Sequence, residues 1–406
     1  MRLIVFLLLF FPISSFANIN CPEGTLKEFV LCLTGLHPEM KKSELLGSQG
    51  EGVAQSGSAW MNPEIDFETT QGQSLGGKIG TNRIMLSYPF QLFGQRSARK
   101  EKAFAESDLL KIEGLKGKNE LLEHTVLNLY RLRQLKEESG ILDETLEAYS
   151  KVVKQLSSRP QLSPEQQVTM GVFKLAVGDL SFKRANLLSE QRKIEDFFSH
   201  VPSLTKQQVE KNLPKRKENW PEVKSSQSEF KGWPLKQVDS QLKLAQAEFD
   251  ASRAEAWPEI KAGVIFEQEI DGPVKKDKYG FGITMPLPFF TWNQGNRQAT
   301  ASVYQKAVVE KELAQKEVKN ERSRLQELYQ SALETMKNSP KESEIQSRYK
   351  NIESLYSRGL IGSSLLIEAH RQLFDFKTSQ NEIESKTMEA LFRIYELEGS
   401  ALEDLL

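Results

Sequence analysis

The 406-residue sequence predicts a mainly α-helical chain with a β portion, built as two similar helix–β-hairpin–helix halves. Three observations carry this prediction. The first is a set of landmarks that recur in one order. Trp60-Met61-Asn62-Pro63-Glu64-Ile65 returns as Trp257-Pro258-Glu259-Ile260, an offset of 195 residues from Pro63 to Pro258. His37-Pro38-Glu39 lines up with Trp233-Pro234-Leu235 at 196, and Ser87-Tyr88-Pro89-Phe90 with Thr284-Met285-Pro286-Leu287 at 197. Gly94-Gln95-Arg96 matches Gly295-Asn296-Arg297 at 201. The second observation is that each half contains two runs in which apolar and polar residues alternate with a period of two, the mark of strands with one apolar face. The third is a long, charged, proline-free helical stretch after each pair of strands.

Taken in chain order, residues 1–17 form a secretory signal peptide. Met1-Arg2 precedes an apolar run from Leu3 to Ile13, and Ser15-Phe16-Ala17 places small residues at the cleavage positions. That run is too short to span a bilayer, and no later stretch of about 18 apolar residues follows. Residues 18–62 form an N-terminal segment and helix. Cys21 and Cys32, the only cysteines, fall here; in an oxidising compartment they could form one local disulfide. Residues 63–93 form the first hairpin: Ile65 and Phe67 share one face and Glu64, Asp66 and Glu68 the other, while Ile84, Leu86, Tyr88 and Phe90 give the next strand its apolar side. Residues 94–200 form a long helical hairpin, since no proline interrupts Arg96 to Ser157. Residues 201–234 contain Pro202, Pro214, Pro221 and Pro234 and cannot be one helix. A helix over 235–256 leads into the second hairpin, 257–292. There Ile260, Ala262, Val264 and Phe266 alternate with Lys261, Gly263, Ile265 and Glu267. Tyr279, Phe281, Ile283, Met285, Leu287 and Phe289 alternate with Gly280, Gly282, Thr284, Pro286 and Pro288. Polar loops are expected near 70–82 and 268–278. Residues 293–406 repeat the helical hairpin, with a break near Asn338-Ser339-Pro340.

Composition narrows the function. Lys plus Arg is 54 and Asp plus Glu is 55, so the chain lacks the basic surplus of a dedicated nucleic-acid binder. A mean hydropathy of −0.47 suits an elongated, solvent-rich shape better than one thick core. No H-E-x-x-H, G-x-S-x-G or clustered Cys/His set is present, so neither enzyme chemistry nor a cofactor nor a metal centre is indicated. Gly72-Gln73-Ser74-Leu75-Gly76-Gly77-Lys78-Ile79 comes close to a phosphate loop but lacks the hydroxyl after Lys78 and leads into a strand.

Four strands of about ten residues suit a transmembrane β-barrel, yet four cannot close one, and an open edge in lipid is costly. Three copies would give twelve strands. A soluble β-sandwich edge capped by helices has the same alternation, so that reading stays open here.

The motifs resemble those of the TolC-type outer-membrane efflux proteins. Pro286-Leu287-Pro288-Phe289-Phe290-Thr291-Trp292-Asn293-Gln294-Gly295-Asn296-Arg297 looks like that family's strand-to-helix crossing. Asn62-Pro63-Glu64-Ile65 and Trp257-Pro258-Glu259-Ile260 resemble its strand starts, and Tyr356-Ser357-Arg358-Gly359-Leu360-Ile361 its helical tip. The resemblance spans about 25–400. It implies a homotrimer whose twelve-stranded barrel in outer-membrane lipid continues into a periplasmic α-helical coiled-coil barrel. It also implies docking by a periplasmic adaptor and an inner-membrane pump, with the RND-pump branch closest. The chain would then be a passive duct. A periplasmic coiled-coil scaffold or adaptor without a pore is the alternative.

Site expectations follow. Arg358, Gly359, Leu360 and Ile361 form one tip for the adaptor. Arg159 and Leu162 belong to the other tip, which has Pro160 and Gln161 where a glycine turn would stand. Glu368 is the candidate for the periplasmic aperture, where three copies would make an acidic ring; Leu365 replaces an aspartate common to that family. Phe67, Tyr88, Phe266, Tyr279 and Phe281 are expected to face lipid, and Asp66, Glu68, Glu267 and Glu269 the lumen. His370 has no evident partner for a metal.

Overall fold

The computed structural model describes residues 21, 24–74, 77–223 and 230–405; the expected signal peptide lies outside them. Cys21 and Cys32 are joined by a disulfide, with Cα atoms 5.7 Å apart. It ties the leading segment to α1 (Leu26–Leu36), whose N-terminus carries a capping box between Thr25 and Glu28. His37 then turns the chain: its Nδ1 accepts the Glu39 N–H at 3.2 Å and caps α2 (Pro38–Ser58). The first hairpin is β1 (Glu64–Ser74) and β2 (Gly77–Phe90). It feeds α3 (Gln95–Ser157), whose 63 residues reach about 95 Å. There follow α4 (Pro164–Ser199), the single turn-and-a-half of α5 (Lys206–Lys211) and α6 (Trp233–Ala254). The second hairpin is β3 (Ile260–Asp271) and β4 (Val274–Thr284), and the chain ends through α7 (Gln294–Asn338), α8 (Glu342–Ser357), α9 (Ser363–Glu398) and a 3₁₀ turn at Leu402–Leu405. The break between α7 and α8 falls at Ser339-Pro340, where proline removes a helical donor.

The four strands make one antiparallel sheet in the order β1-β2-β3-β4, so the two halves join edge to edge through β2 and β3. Below it, α2 lies beside α3, α3 beside α6 and α6 beside α7, which is the same lateral order. Each strand thus continues into its own helix. At the crossing the Arg99 guanidinium donates to the carbonyls of Gly57 (3.2 Å) and Ala59 (2.6 Å), and Arg96 donates to that of Ser58 (3.4 Å). These cations satisfy the orphan carbonyls at the C-terminus of α2. Small residues let α2 and α3 approach closely. A Cβ on Gly57 would come within 2.1 Å of the Ala103 Cβ, and one on Gly50 within 2.9 Å of the Ser107 carbonyl.

Three details depart from the sequence expectation. The polar stretches near 70–82 and 268–278 are largely strand, because β1 and β2 pair as far as Ser74–Gly77, and β3 and β4 as far as Asp271–Val274. Polar side chains on both faces made them read as loop. The alternating run from Tyr279 to Phe289 remains strand only to Thr284, since Pro286 and Pro288 offer no N–H to a ladder. The counterpart of Gly94 is Asn293, at an offset of 199, rather than Gly295. Gly94 (φ 78°) and Asn293 (φ 59°) both start their helices in the left-handed conformation, which asparagine tolerates better than most residues.

Two cores hold the bundle. The larger joins α1, α3, α9 and the lower part of α7 around Phe29, Leu33, Leu129, Tyr329, Phe392 and Ile394. The proline-punctuated segment wraps it: the Tyr329 hydroxyl donates to the Pro221 carbonyl (2.7 Å) and Lys217 Nζ to that of Leu405 (2.9 Å). The smaller core, around Leu142, Tyr149, Phe173, Leu180, Leu366 and Phe374, joins α3, α4 and α9, with Ile352 and Tyr356 of α8 against it.

Candidate membrane wall and helical tips

Register decides which strand residues share a face. Phe67, Ile84, Phe266 and Tyr279 stand in one cross-strand row, and Ile65, Leu86, Val264 and Phe281 in the next. Tyr88, Ala262 and Ile283 form a third row, and Phe90 and Ile260 begin a fourth. The rows span about 20 Å along a strand. Most of this surface is open: Tyr279 is 82% exposed, Phe281 67% and Phe67 66%. Phe266 and Tyr88 are half-buried against Tyr279 and Phe90. The band stops at the row Thr69–Asn82–Gln268–Asp277, where Thr69 donates to Asn82 (2.8 Å) and Gln268 to Asp277 (2.9 Å). On the opposite face Asp66, Glu68, Glu267 and Glu269 lie together. Glu64 pairs with Lys261 at 2.6 Å, Lys278 with Glu269 at 2.7 Å and Arg83 with Glu68 at 3.9 Å. The sheet is therefore apolar on one side and ionic on the other across both halves.

At the helix end of the apolar band lies an aromatic cluster that the sequence showed only as repeat landmarks. Trp257 stacks on Phe93 (4.7 Å) and meets Trp292 edge-on (6.2 Å), and the Arg96 guanidinium sits 3.6 Å over Trp60. The recurrence of Trp60 as Trp257 was the available signal.

The distal ends of the helices are built differently in the two halves. After α8, Gly359 takes φ +71°, its N–H bonds the Tyr356 carbonyl (2.8 Å) and the Leu360 N–H bonds that of Leu355 (3.0 Å). This left-handed cap projects Arg358 and leaves Leu360 66% exposed, with Ile361 half-buried. After α3 the turn has no positive φ; Arg159 bonds back to Leu156 (3.2 Å). Ser163 then starts α4 with a capping box to Gln166 and Pro164 in the first turn. Arg159 is exposed and Leu162 half-buried. Tyr149 and His370 touch, and both turns lie ten residues beyond that contact, Arg159 and Leu360, so both tips end at the same level.

Glu368 is not a bare carboxylate. Arg371 donates to it at 2.7 and 3.0 Å and Gln372 at 2.8 Å, and these donors hold its carboxyl below the usual range. Arg371 also reaches Asp375 at 3.5 Å. The spacing of three residues from Glu368 to Arg371 was visible in the sequence.

Between the two cores runs a polar layer that the sequence did not announce. Glu138, Glu384, Gln134 and Asn381 are fully buried. Arg131 bridges Glu138 (3.0 Å) and Glu190 (2.8 Å), and Asn381 donates to Glu138 (2.8 Å). Glu384 accepts from Arg133, from Gln134 (3.1 Å) and from the Lys217 N–H (3.2 Å), and Lys377 pairs with Glu137 at 3.0 Å. The layer bolts α3 to α4, α9 and the wrapped segment. On a helical wheel these residues look like ordinary solvated charges.

No family model matches the chain, and no curated protein matches it by sequence. Solved structures do match its fold. The Campylobacter jejuni CmeC outer membrane channel aligns with a TM-score of 0.70 at 12% identity, over 94% of this chain and 88% of that one. CusC, whose structures concern folding and transmembrane channel formation, aligns at 0.66 with 14% identity, over 93% and 92%. The open state of the Neisseria gonorrhoeae MtrE outer membrane channel aligns at 0.63 with 13% identity, over 93% and 89%. The chain has the fold of the TolC-type outer-membrane channels. The likeness covers 93–94% of the chain in each of these three structures.

Proposed function

We propose that this chain is one subunit of a homotrimeric outer-membrane channel, a passive duct in an efflux or export system. The observation that carries the reading is the sheet, whose one face is apolar and open across four strands. A contiguous apolar surface of that size on a soluble protein would need a cover. In lipid it is already matched, and the aromatic cluster at its helix end and the row of Phe67, Phe266 and Tyr279 near its other end suit the two interfaces. β1 and β4 run antiparallel, so β4 of one copy can pair with β1 of the next and preserve the alternation around a closed ring. The resemblance implies three copies and hence twelve strands, wide enough for a lumen lined by the ionic face. The glycines of β4, on that ionic side, leave room for Met85 and Ile265 and favour bending toward it.

The helices then extend into the periplasm. Arg358, Gly359, Leu360 and Ile361, with Arg159 and Leu162, form the end that a periplasmic adaptor meets, and an inner-membrane pump of the RND type supplies the energy. Glu368 lies near this end as the aperture candidate, its charge offset in each copy by Arg371. Phe281→Asp tests the facing directly: a charge on the lipid side near the middle of the band is destabilising in such barrels, by less than the about 2–4 kcal/mol of a lysine or arginine there, and should deplete trimers from detergent-extracted outer membranes. Wild-type amounts of trimer in that variant would overturn the assignment. A wild-type chain recovered as a soluble periplasmic monomer would replace the channel with the scaffold reading.

A further inference from the structure

The smaller core contains a histidine that the channel reading does not use. His370 on α9 is 3% exposed. Its ring is met edge-on by Tyr149 of α3 (5.1 Å) and by Tyr349 of α8 (4.8 Å). Its Nδ1–H donates to the Leu366 carbonyl at 3.0 Å, which leaves Nε2 as a buried acceptor without a hydrogen bond. Among the described residues the charged group that faces it is Glu353 of α8, whose Oε1 lies 3.8 Å from Nε2, within ion-pair distance but beyond a hydrogen bond. Burial and that carboxylate together push the neighbouring Tyr349 hydroxyl above its ordinary range. One imidazole thus sits where three helices join.

The helix it holds is the loosest of the set. None of the described side chains of α8 is fully buried; the helix hangs between the proline break at Ser339-Pro340 and the left-handed turn at Gly359. It docks through Ile352, Tyr356 and the His370 cluster, with a cavity of about 330 Å³ beside it bounded by Ile141, Tyr349, Glu353 and Lys377.

We propose that His370 is an acid-sensitive latch for α8: the neutral ring holds the helix on α3 and α9, and the imidazolium releases it. A proton on Nε2 would place a charge in a buried aromatic pocket where the facing carboxylate, Glu353, stands at 3.8 Å, too far for a hydrogen bond and only partly buried, so it compensates the imidazolium incompletely unless it moves inward. Burial pushes the imidazole below its ordinary range, and the Leu366 carbonyl and Glu353 only partly oppose this. The sign follows. A histidine depressed in the docked state stabilises docking at neutral pH, and that stability falls as pH drops below about 6.5, the value of a free imidazole.

The latch belongs to the helical bundle, so its test does not depend on the pore. Hydrogen exchange of α8 amides in the detergent-extracted full chain, corrected for the intrinsic pH effect, should speed up between pH 7.5 and 5.5. The increase is limited to about tenfold per pH unit for one proton. Amides of α3 around Leu129 should not respond. His370→Phe, which keeps an aromatic ring in the pocket, should flatten the α8 response, and Glu353→Gln should shift it. The proposal fails if wild-type α8 exchange is flat over that range, or if His370→Phe leaves the response intact. A conductance change on acidification rests in addition on the channel reading, and its absence beside a normal α8 response would count against the coupling of latch to pore.

Discussion

The two halves of the chain share one plan and use it to different ends. In the first half a single 63-residue helix, α3, runs from sheet to tip and is buried on one side for much of its length, at Leu121, Leu129, Leu135, Leu142 and Tyr149. In the second half the same path is divided. α7 stops at Asn338, and α8 carries its last stretch with no fully buried side chain among its described ones. The two halves carry equivalent struts, but at Ser339-Pro340 the second is divided into a strut plus a loosely docked arm. The buried ion layer sharpens the contrast, since it clamps α3 to α9 and leaves α8 outside.

Breaking the stiff half should have the largest effect. Leu129→Pro removes a helical donor and a fully buried side chain together, at about 3 kcal/mol for the backbone alone and more for the core. Folded chain should be absent from membrane extracts. The parallel change in the arm, Ser347→Pro, should melt α8 locally and leave folded chain abundant; equal losses would erase the distinction between the halves. A milder comparison uses side chains alone. Leu142→Ala empties a site that is 0% exposed and should cost about 2–5 kcal/mol, whereas Ile352→Ala, half-buried on α8, should cost about 1 kcal/mol or less by denaturant unfolding. The smallest expected effect concerns charge in the clamped half. Burial, with the charges of Glu396 and Glu389, pushes the Glu123 carboxyl up to about 7. A carboxyl raised in the folded state favours folding at low pH, and that contribution is lost as pH rises from about 4.5 through 7. Glu123→Gln should therefore stabilise the protein above pH 7 by on the order of 1 kcal/mol, after allowing for its partial exposure, and should do little at pH 5.

Much of this architecture was legible. The break expected near Asn338-Ser339-Pro340 divides α7 from α8, whereas the Ser163-Pro164 start of α4 and the left-handed Gly399 at the end of α9 emerge only in the structure. Alternation identified the apolar faces, because a pleat places every second residue on one side. What local pattern could not carry was pairing at a distance. The joining of β2 to β3 across more than 150 residues, and of Glu138 to Asn381 across 243, depends on how helices come together. Neither leaves a periodic trace. Asn293 escaped because backbone conformation, and not residue identity, is what the two halves repeat there. The cationic partner of Glu368 was readable at Arg371, three residues on, but only the folded side chains show that the pair forms.

The open edges of the sheet have a genetic consequence. Each copy offers two unlike edges, β1 and β4, and in the proposed homotrimer every seam needs one of each. A copy damaged at either edge still binds on its good side, enters the ring and leaves one seam unsealed. If a cell makes sound and edge-damaged chains in equal amounts and they mix at random, only about one ring in eight is wholly sound. Edge mutations in this chain should therefore be dominant, whereas mutations that prevent folding outright should be recessive.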